Sequence, residues 1–388
     1  MSNFLSEEGA AEVAGAYLQQ GGRASFTQEI LDSGAIPRLK GYTVRPGKVS
    51  DSIFGGTGNY HDKKTGRIVE FENPPLQTRE RVDLRIMVRT QRISTHDITR
   101  GEIPFKDQIL AMNHQAMRTL VGDILGTSQY DVEGLADTAV VIAAENLRQI
   151  PFENVLRAYM AKSTTSTSLY QAYIQGEQFF GGHELPKRLI PNGPLPYVMD
   201  TPSTKSDEHD KTLDPEWLFE HGICKASAYT QIRNASLVAF GMVAQFLLEK
   251  GIMLVDTKTE HGTNHRGQIV SQDELYTMDS SRFWLLDDYT EQWKKLQRGE
   301  IVELNPKSYS KEFARGFSQG DQGYTPEQCV TIAARYIVGI QHLLGKRFAP
   351  DLRPRNERVV TGLQMVVEQL VVQLFMIWFV MDNAESTV

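Results

Sequence analysis

Residues 255 to 284, VDTKTEHGTNHRGQIVSQDELYTMDSSRFW, concentrate more groups able to do chemistry than any other part of the chain. Two strand-like runs, IMLVDTK and GQIVSQDE, flank a polar turn containing glycine, which is the grammar of a β-hairpin. Alternation along a strand puts Asp256 and Lys258 on one face with Glu260 after them, and lets Asp273 on the return strand lie across from them. Three carboxylates gathered in one place repel one another and call for a cation. Oxygen-only ligands suit Mg²⁺, which proteins usually hold through one or two carboxylates plus nucleotide phosphates. A solvated hairpin with scattered charges accounts for the same spacing equally well. A second cluster is ENVLRAYMAKSTTSTSLY, where Arg157 and Ser163 bracket a segment that runs on into hydroxyls up to Ser168. An arginine with hydroxyls and loop amides makes a phosphate or carboxylate pocket, and a flexible Ser/Thr linker is the plainer reading. A third is RPGKVSDSIF, where Gly47 and Lys48 precede a strand. It is too short for a phosphate-binding P-loop, and the chain has no GxGxxG, HExxH or GxSxG to support a dehydrogenase, zincin or hydrolase.

The elements that must position these groups follow from the rest of the chain. Its 388 residues, 40% hydrophobic and 23% charged, are enough for one large or two medium domains with a real core, and exclude a disordered or fibrous protein. The net charge of −7 argues against nucleic acid as a partner held mainly through phosphates. Two distant cysteines, Cys224 and Cys329, give neither a disulfide framework nor a zinc site and suit a reducing cytoplasm. The first residues lack a secretory leader. In Val359 to Met381 the polar residues Gln364, Glu368, Gln369 and Gln373 fall on one helical stripe, so a packed or subunit-interface helix is expected there rather than a membrane span.

The periodicities predict an α+β chain in four parts: a helical N-terminal extension over 1–40, a mostly β lobe over 41–150, an α/β lobe over 151–348, and a helical C-terminal extension over 349–388. IFGGTGNYHDKKTG reads as a glycine-rich turn and VDLRIMVRT as a buried strand. ENVLRAYM reads as a strand, ASAYTQIRNASLVAFGMVAQFLLEKG as a helix ending at Gly251, and Thr325 opens a further helix with Pro326 at its first position.

Taken together these segments resemble the SAICAR synthetase family of purine biosynthesis, collinearly over roughly residues 44 to 348. GKVSDSIF looks like the family's GKVRDIY, RTQRISTHD like TDRISAFD, and IPFENVLRAYMAKSTTSTSLY like IPVEVVVRGYxxGSxxxSLW. FFGGHELP, TPSTKSDEHD, VDTKTEHG, DELYTMDSSRFW and SYSKEFARGF are similar, in the same order, to CGHxLP, TPSTKAEEHD, LVDTKFEFG, DExLTPDSSRFW and SYDKQFLRDW. The resemblance implies a two-lobed fold with an ATP-grasp or kinase-like nucleotide cleft, the β lobe binding nucleotide and the α/β lobe carrying the metal and ribotide sites. It implies a ligase that joins L-aspartate to the carboxylate of carboxyaminoimidazole ribotide (CAIR), using ATP and Mg²⁺, with no nucleic-acid or membrane partner. On this resemblance Lys48, Asp256 and Lys258 are the catalytic set, while Lys48, Arg148, Glu153, Glu260 and Asp273 bind ATP. Glu260 and Asp273 hold the metal, and the segment from Arg148 to Glu153 forms the adenine-side hinge. Arg157, Ser163, Asp279 and Arg282 take the ribotide, and Ser94, Asp97, Lys106 and Lys205 are further contacts for aspartate or phosphate.

The chain departs from the family pattern at Gln91 for Asp, His96 for Phe, His261 for Phe and Ser50 for Arg, and Lys106 stands in PFKD rather than between glycines. Drift within an active enzyme, a changed amine substrate or lost activity each explain these changes. His96 and His261 form a metal-binding or pH-sensitive pair if the fold brings them together. A different acid or amine and a non-catalytic scaffold are the alternatives, and the extensions leave room for a homo-oligomer.

Overall fold

The computed structural model describes residues 4–19, 27–62, 65–95, 98–204 and 212–371. Two antiparallel sheets carry the architecture. The first has the order Arg45–Pro46, Ser50–Phe54, Leu84–Arg89, Val141–Glu145. The second runs Pro194–Asp200, Arg148–Tyr159, Ile252–Thr263, Ile269–Gln272, with Ser203–Thr204 added to the second of these strands and Ser281–Leu285 to the third. The VDLRIMVRT run forms the strand Leu84–Arg89, buried on both faces because Leu84, Ile86 and Val88 enter one cluster and Met87 packs with Ile142 and Ala144 in another.

The helices Lys106–Leu125, Ala226–Leu248 and Pro326–Leu344 contribute to one large core together with the strand Ile252–Thr263. The last of them starts where its sequence says it should. The Thr325 hydroxyl accepts a bond from the Gln328 backbone amide, the Thr325 amide donates in turn to Gln328 Oε1, and Pro326 sits where no amide proton is needed.

Two expectations change. The glycine-rich stretch after Phe54 is a ribbon: Gly56–Asp62 pairs in unbroken register with Arg67–Asn73. A Cβ at Gly58 would lie 2.5 Å from the Phe71 ring, which would have to move aside. The terminal segments are also parts of the core. The helix Glu7–Gln19 buries Ala10, Ala14 and Tyr17 against Pro326–Leu344. The helix Arg355–Leu370 lays Val359, Leu363, Val366 and Val367 into the cluster of the first sheet. Of the two expectations for this helix, packed or at a subunit interface, the packed one holds as far as residue 371, and the more apolar residues 372–381 lie outside the described residues. Among the described residues no helix is long and apolar enough to cross a membrane.

Candidate active site

The strand Ile252–Thr263 runs between Arg148–Tyr159 on one side and Ser281–Leu285 and Ile269–Gln272 on the other. Its register sets Asp256 opposite both Arg157 and Arg282, Lys258 opposite Val155, and Glu260 opposite both Glu153 and Gln272. Residues directly opposite one another share a face, so these side chains form one polar surface. Thr257 and Thr259 take the other face, where Thr257 bonds Ser281 and Thr259 bonds Asn154.

At one end of this surface Lys258 Nζ pairs with Glu153 Oε1 and stands 3.8 Å from Glu260 Oε1. Glu153 Oε2 also accepts the Ser203 hydroxyl at 3.3 Å, and Glu260 Oε2 accepts Gln272 Nε2 at 3.4 Å. Desolvation by the sheet works to lower the ammonium's pKa, but the charges of Glu153, Glu260 and Asp273 override it, and the net shift is upward. Lys258 is thus a fixed cation, with 39% of its side chain open to solvent.

At the other end Asp256 Oδ2 lies 2.9 Å from Arg282 Nε and 3.7 Å from Arg157 Nη1. Arg157 Nε donates to the Thr201 hydroxyl at 3.0 Å, and Arg282 Nη1 donates to the Lys162 carbonyl at 3.0 Å, next to Ser163. Burial lowers the Arg157 pKa to about 10 against the pull of Asp256, which leaves it charged at neutral pH. The hydroxyl run after Ser163 is built rather than slack: Ser163 Oγ accepts the Thr165 amide, Gln171 holds the Ser163 carbonyl, and Ser168 caps the short helix Leu169–Ile174.

The remaining expected residues scatter more. The Asp279 side chain is 5% exposed, accepting Tyr336 OH at 2.7 Å and facing Lys106 Nζ at 2.7 Å. Lys106 is 0% exposed and supports Asp279 from behind. Desolvation alone would raise the Asp279 carboxyl, and Lys106 and Lys311 hold it below its ordinary value instead. Lys48 is exposed on the bend before Ser50–Phe54. Arg148 is exposed at the far end of its strand, five residues from Glu153 and so roughly 16 Å along the chain. It lines a groove of about 430 Å³ with Arg81, Glu145 and His265. Ser94 is buried in the strand Arg92–Thr95, while Asp97, Lys205 and His96 lie outside the described residues. His261 is buried on the reverse face, where its Nε2 has no partner among the described residues.

Two groups were missed. Lys311, in SYSKEFARGF, feels Asp279, and burial with the nearby Lys106 and Arg315 lowers its pKa to about 8. The collinear motif was the signal for it. Arg89, Asp107, Glu274, Arg355 and Arg358 form buried ion pairs between segments far apart in sequence, which no local pattern announces.

Comparison with known proteins bears on the family and the fold. The SAICAR synthetase family profile matches residues 77–327. The chain is 30% identical over 299 residues to the chloroplastic phosphoribosylaminoimidazole-succinocarboxamide synthase of Arabidopsis thaliana, covering 74% of this chain and 70% of that protein. It is 30% identical over 293 residues to the same-named synthase of Legionella pneumophila (strain Paris), covering 73% and 90%. Among solved structures, the SAICAR synthase of Saccharomyces cerevisiae complexed with SAICAR superimposes with a TM-score of 0.62 at 20% identity, over 84% of this chain and 99% of that one. A type-2 SAICAR synthetase in complex with ADP gives 0.53 at 20% identity, over 79% and 100%. These likenesses show the fold to be the mixed α+β SAICAR-synthase fold. The chain belongs to the SAICAR synthetase family.

Proposed function

We propose that this protein is an ATP-dependent ligase that joins L-aspartate to the carboxylate of CAIR, giving SAICAR, ADP and phosphate. The observation that carries the reading is the polarity of the central strand's face. Glu153, Lys258, Glu260 and Asp273 gather at one end, and Arg157, Asp256 and Arg282 at the other. Asp256 and Glu260 are four residues apart, roughly 13 Å at the usual rise, which is room for two ligands end to end.

The donors at the acidic end fit Mg²⁺ bound together with a nucleotide. Among the described residues no three His, Cys, Asp or Glu side chains converge as a cage, and Glu260 with Asp273 leaves the other positions to phosphate oxygens. Bound there, the ion would neutralise the triphosphate and its developing charge. The ammonium of Lys258 adds positive charge at the same place, with Glu153 fixing its position. At the other end the two guanidiniums bind the ribotide phosphate, and Asp256 holds them apart in fixed orientation.

A carboxylate is a poor electrophile. One of its oxygens takes the γ-phosphoryl group, ADP leaves, and the acyl carbon becomes open to attack. The amine of aspartate then forms the C–N bond, the C–O bond to phosphate breaks, and the amine gives up a proton. The protein aligns three anions and screens their repulsion, and needs no nucleophile of its own. Both cysteines are free and buried, in keeping with a reducing compartment such as the cytoplasm. The test is ADP release with CAIR, ATP and each amino acid in turn. Aspartate should stimulate release far above the others; equal release with every amine removes the assignment.

A further inference from the structure

Asp273 and Tyr276 have φ of 60° and 49°, so the segment carrying the proposed metal ligand is held in a conformation that side chains ordinarily avoid. Its restraints come from the other parts of the molecule. Arg89 Nη1, at the end of the first sheet's strand, donates to Glu274 Oε1 at 2.9 Å, and Thr277 Oγ1 bonds the other carboxylate oxygen. The Leu275 amide donates to His114 Nδ1 at 3.2 Å. Asn113 takes the Met278 amide at 3.0 Å and gives its own N–H to the Tyr276 carbonyl at 3.1 Å. Arg89 is itself fixed, because its carbonyl accepts Arg355 Nη2 at 2.8 Å from the C-terminal helix.

We infer that Arg89 and Glu274 are positioning residues: their buried ion pair ties the first sheet to the segment 273–278 and holds Asp273 where it can meet the metal-bound phosphates. The inference rests on the reading of Asp273 given above. A buried ion pair is a poor source of stability, since an apolar pair of similar volume often does as well. This pair is 2% and 8% exposed and lies next in sequence to a strained carboxylate, so its contribution is geometric. Partners one step behind a metal ligand typically change metal affinity or activity roughly 10- to 100-fold when removed.

The test compares ADP affinity with and without Mg²⁺, by calorimetry, in the wild type, in the double variant R89M/E274Q and in R89K, alongside the melting temperature of each ligand-free protein. The double variant removes both charges and strands neither. It should lose roughly 10- to 100-fold of ADP affinity in Mg²⁺ while binding metal-free ADP as before. R89K should fall between it and the wild type. A double variant that melts lower but keeps the full Mg²⁺ response overturns the inference and makes the pair merely structural. Should the double variant fail to fold, R89K decides, and an unchanged Mg²⁺ response in it is equally fatal. A wild type whose ADP affinity ignores Mg²⁺ overturns the reading of Asp273 first and this inference with it, so the two failures are distinct.

Discussion

The two ends of the central strand's face use the same residue types in opposite proportion. At one end the Glu153 and Glu260 carboxylates flank the Lys258 ammonium, which also feels the charge of Asp273; at the other two guanidiniums share the Asp256 carboxylate. An excess of carboxylates left alone is self-repelling and asks for a cation, and an excess of guanidiniums asks for an anion. The strand is therefore poled before any ligand arrives, and under the function proposed here that polarity would fix which way round a metal-bound triphosphate and a sugar phosphate bind. Neither end would be informative alone, since single exposed ion pairs are common and weak.

Removing a carboxylate from the acidic end should have the largest effect. Asp273→Asn is expected to lower turnover on the order of 10³-fold, about 4 kcal/mol, with an unchanged circular dichroism spectrum. Turnover within tenfold of wild type would mean that the acidic end does not serve the phosphates. A smaller and different change is expected from Arg157→Ala. Loss of one charge-assisted phosphate contact should raise the KM for ribotide roughly 10- to 100-fold, about 1.4 to 2.8 kcal/mol, and leave that for ATP nearly alone. If only ATP is affected, the arginine end is the nucleotide end and the polarity is reversed.

How much of this was legible depended on how local the cause was. The hairpin, the shared face of Asp256, Lys258 and Glu260, and the start of the helix at Thr325 all follow from a period or a cap that a few residues contain. The neighbours of Lys106 are not local, because they come from residues 279 and 311, so its burial in an ion pair could not be read from PFKD. The stripe in Val359 to Met381 predicts a packed or subunit-interface helix, and the sequence does not say which; its described part packs within the chain. The left-handed backbone at Asp273 had only a weak signal, since aspartate enters that region more often than most side chains but usually does not.

The reverse face of the same strand offers the smallest and sharpest contrast. His261 stands where the family pattern has Phe, and it is 4% exposed with Nε2 unpartnered among the described residues. Burial lowers its pKa to about 4, although Glu260 pulls the other way. In the unfolded chain an imidazole titrates near 6.5, so between about 6.5 and 4 the unfolded state binds the extra proton and stability falls as the pH falls. Above that window the group is neutral in both states and contributes no slope. His114, lowered to about 3 by burial and by Arg89, acts in the same direction and remains in any His261 variant. His261→Phe should therefore remove about 1.4 kcal/mol per pH unit from the acid dependence, close to 2 kcal/mol at pH 5, without abolishing it. Urea unfolding at pH 7 and pH 5, without metal or nucleotide, measures the difference. A variant as acid-sensitive as the wild type would mean that His261 is already protonated in the fold, so that the two faces of the strand are not divided into one charged and one neutral.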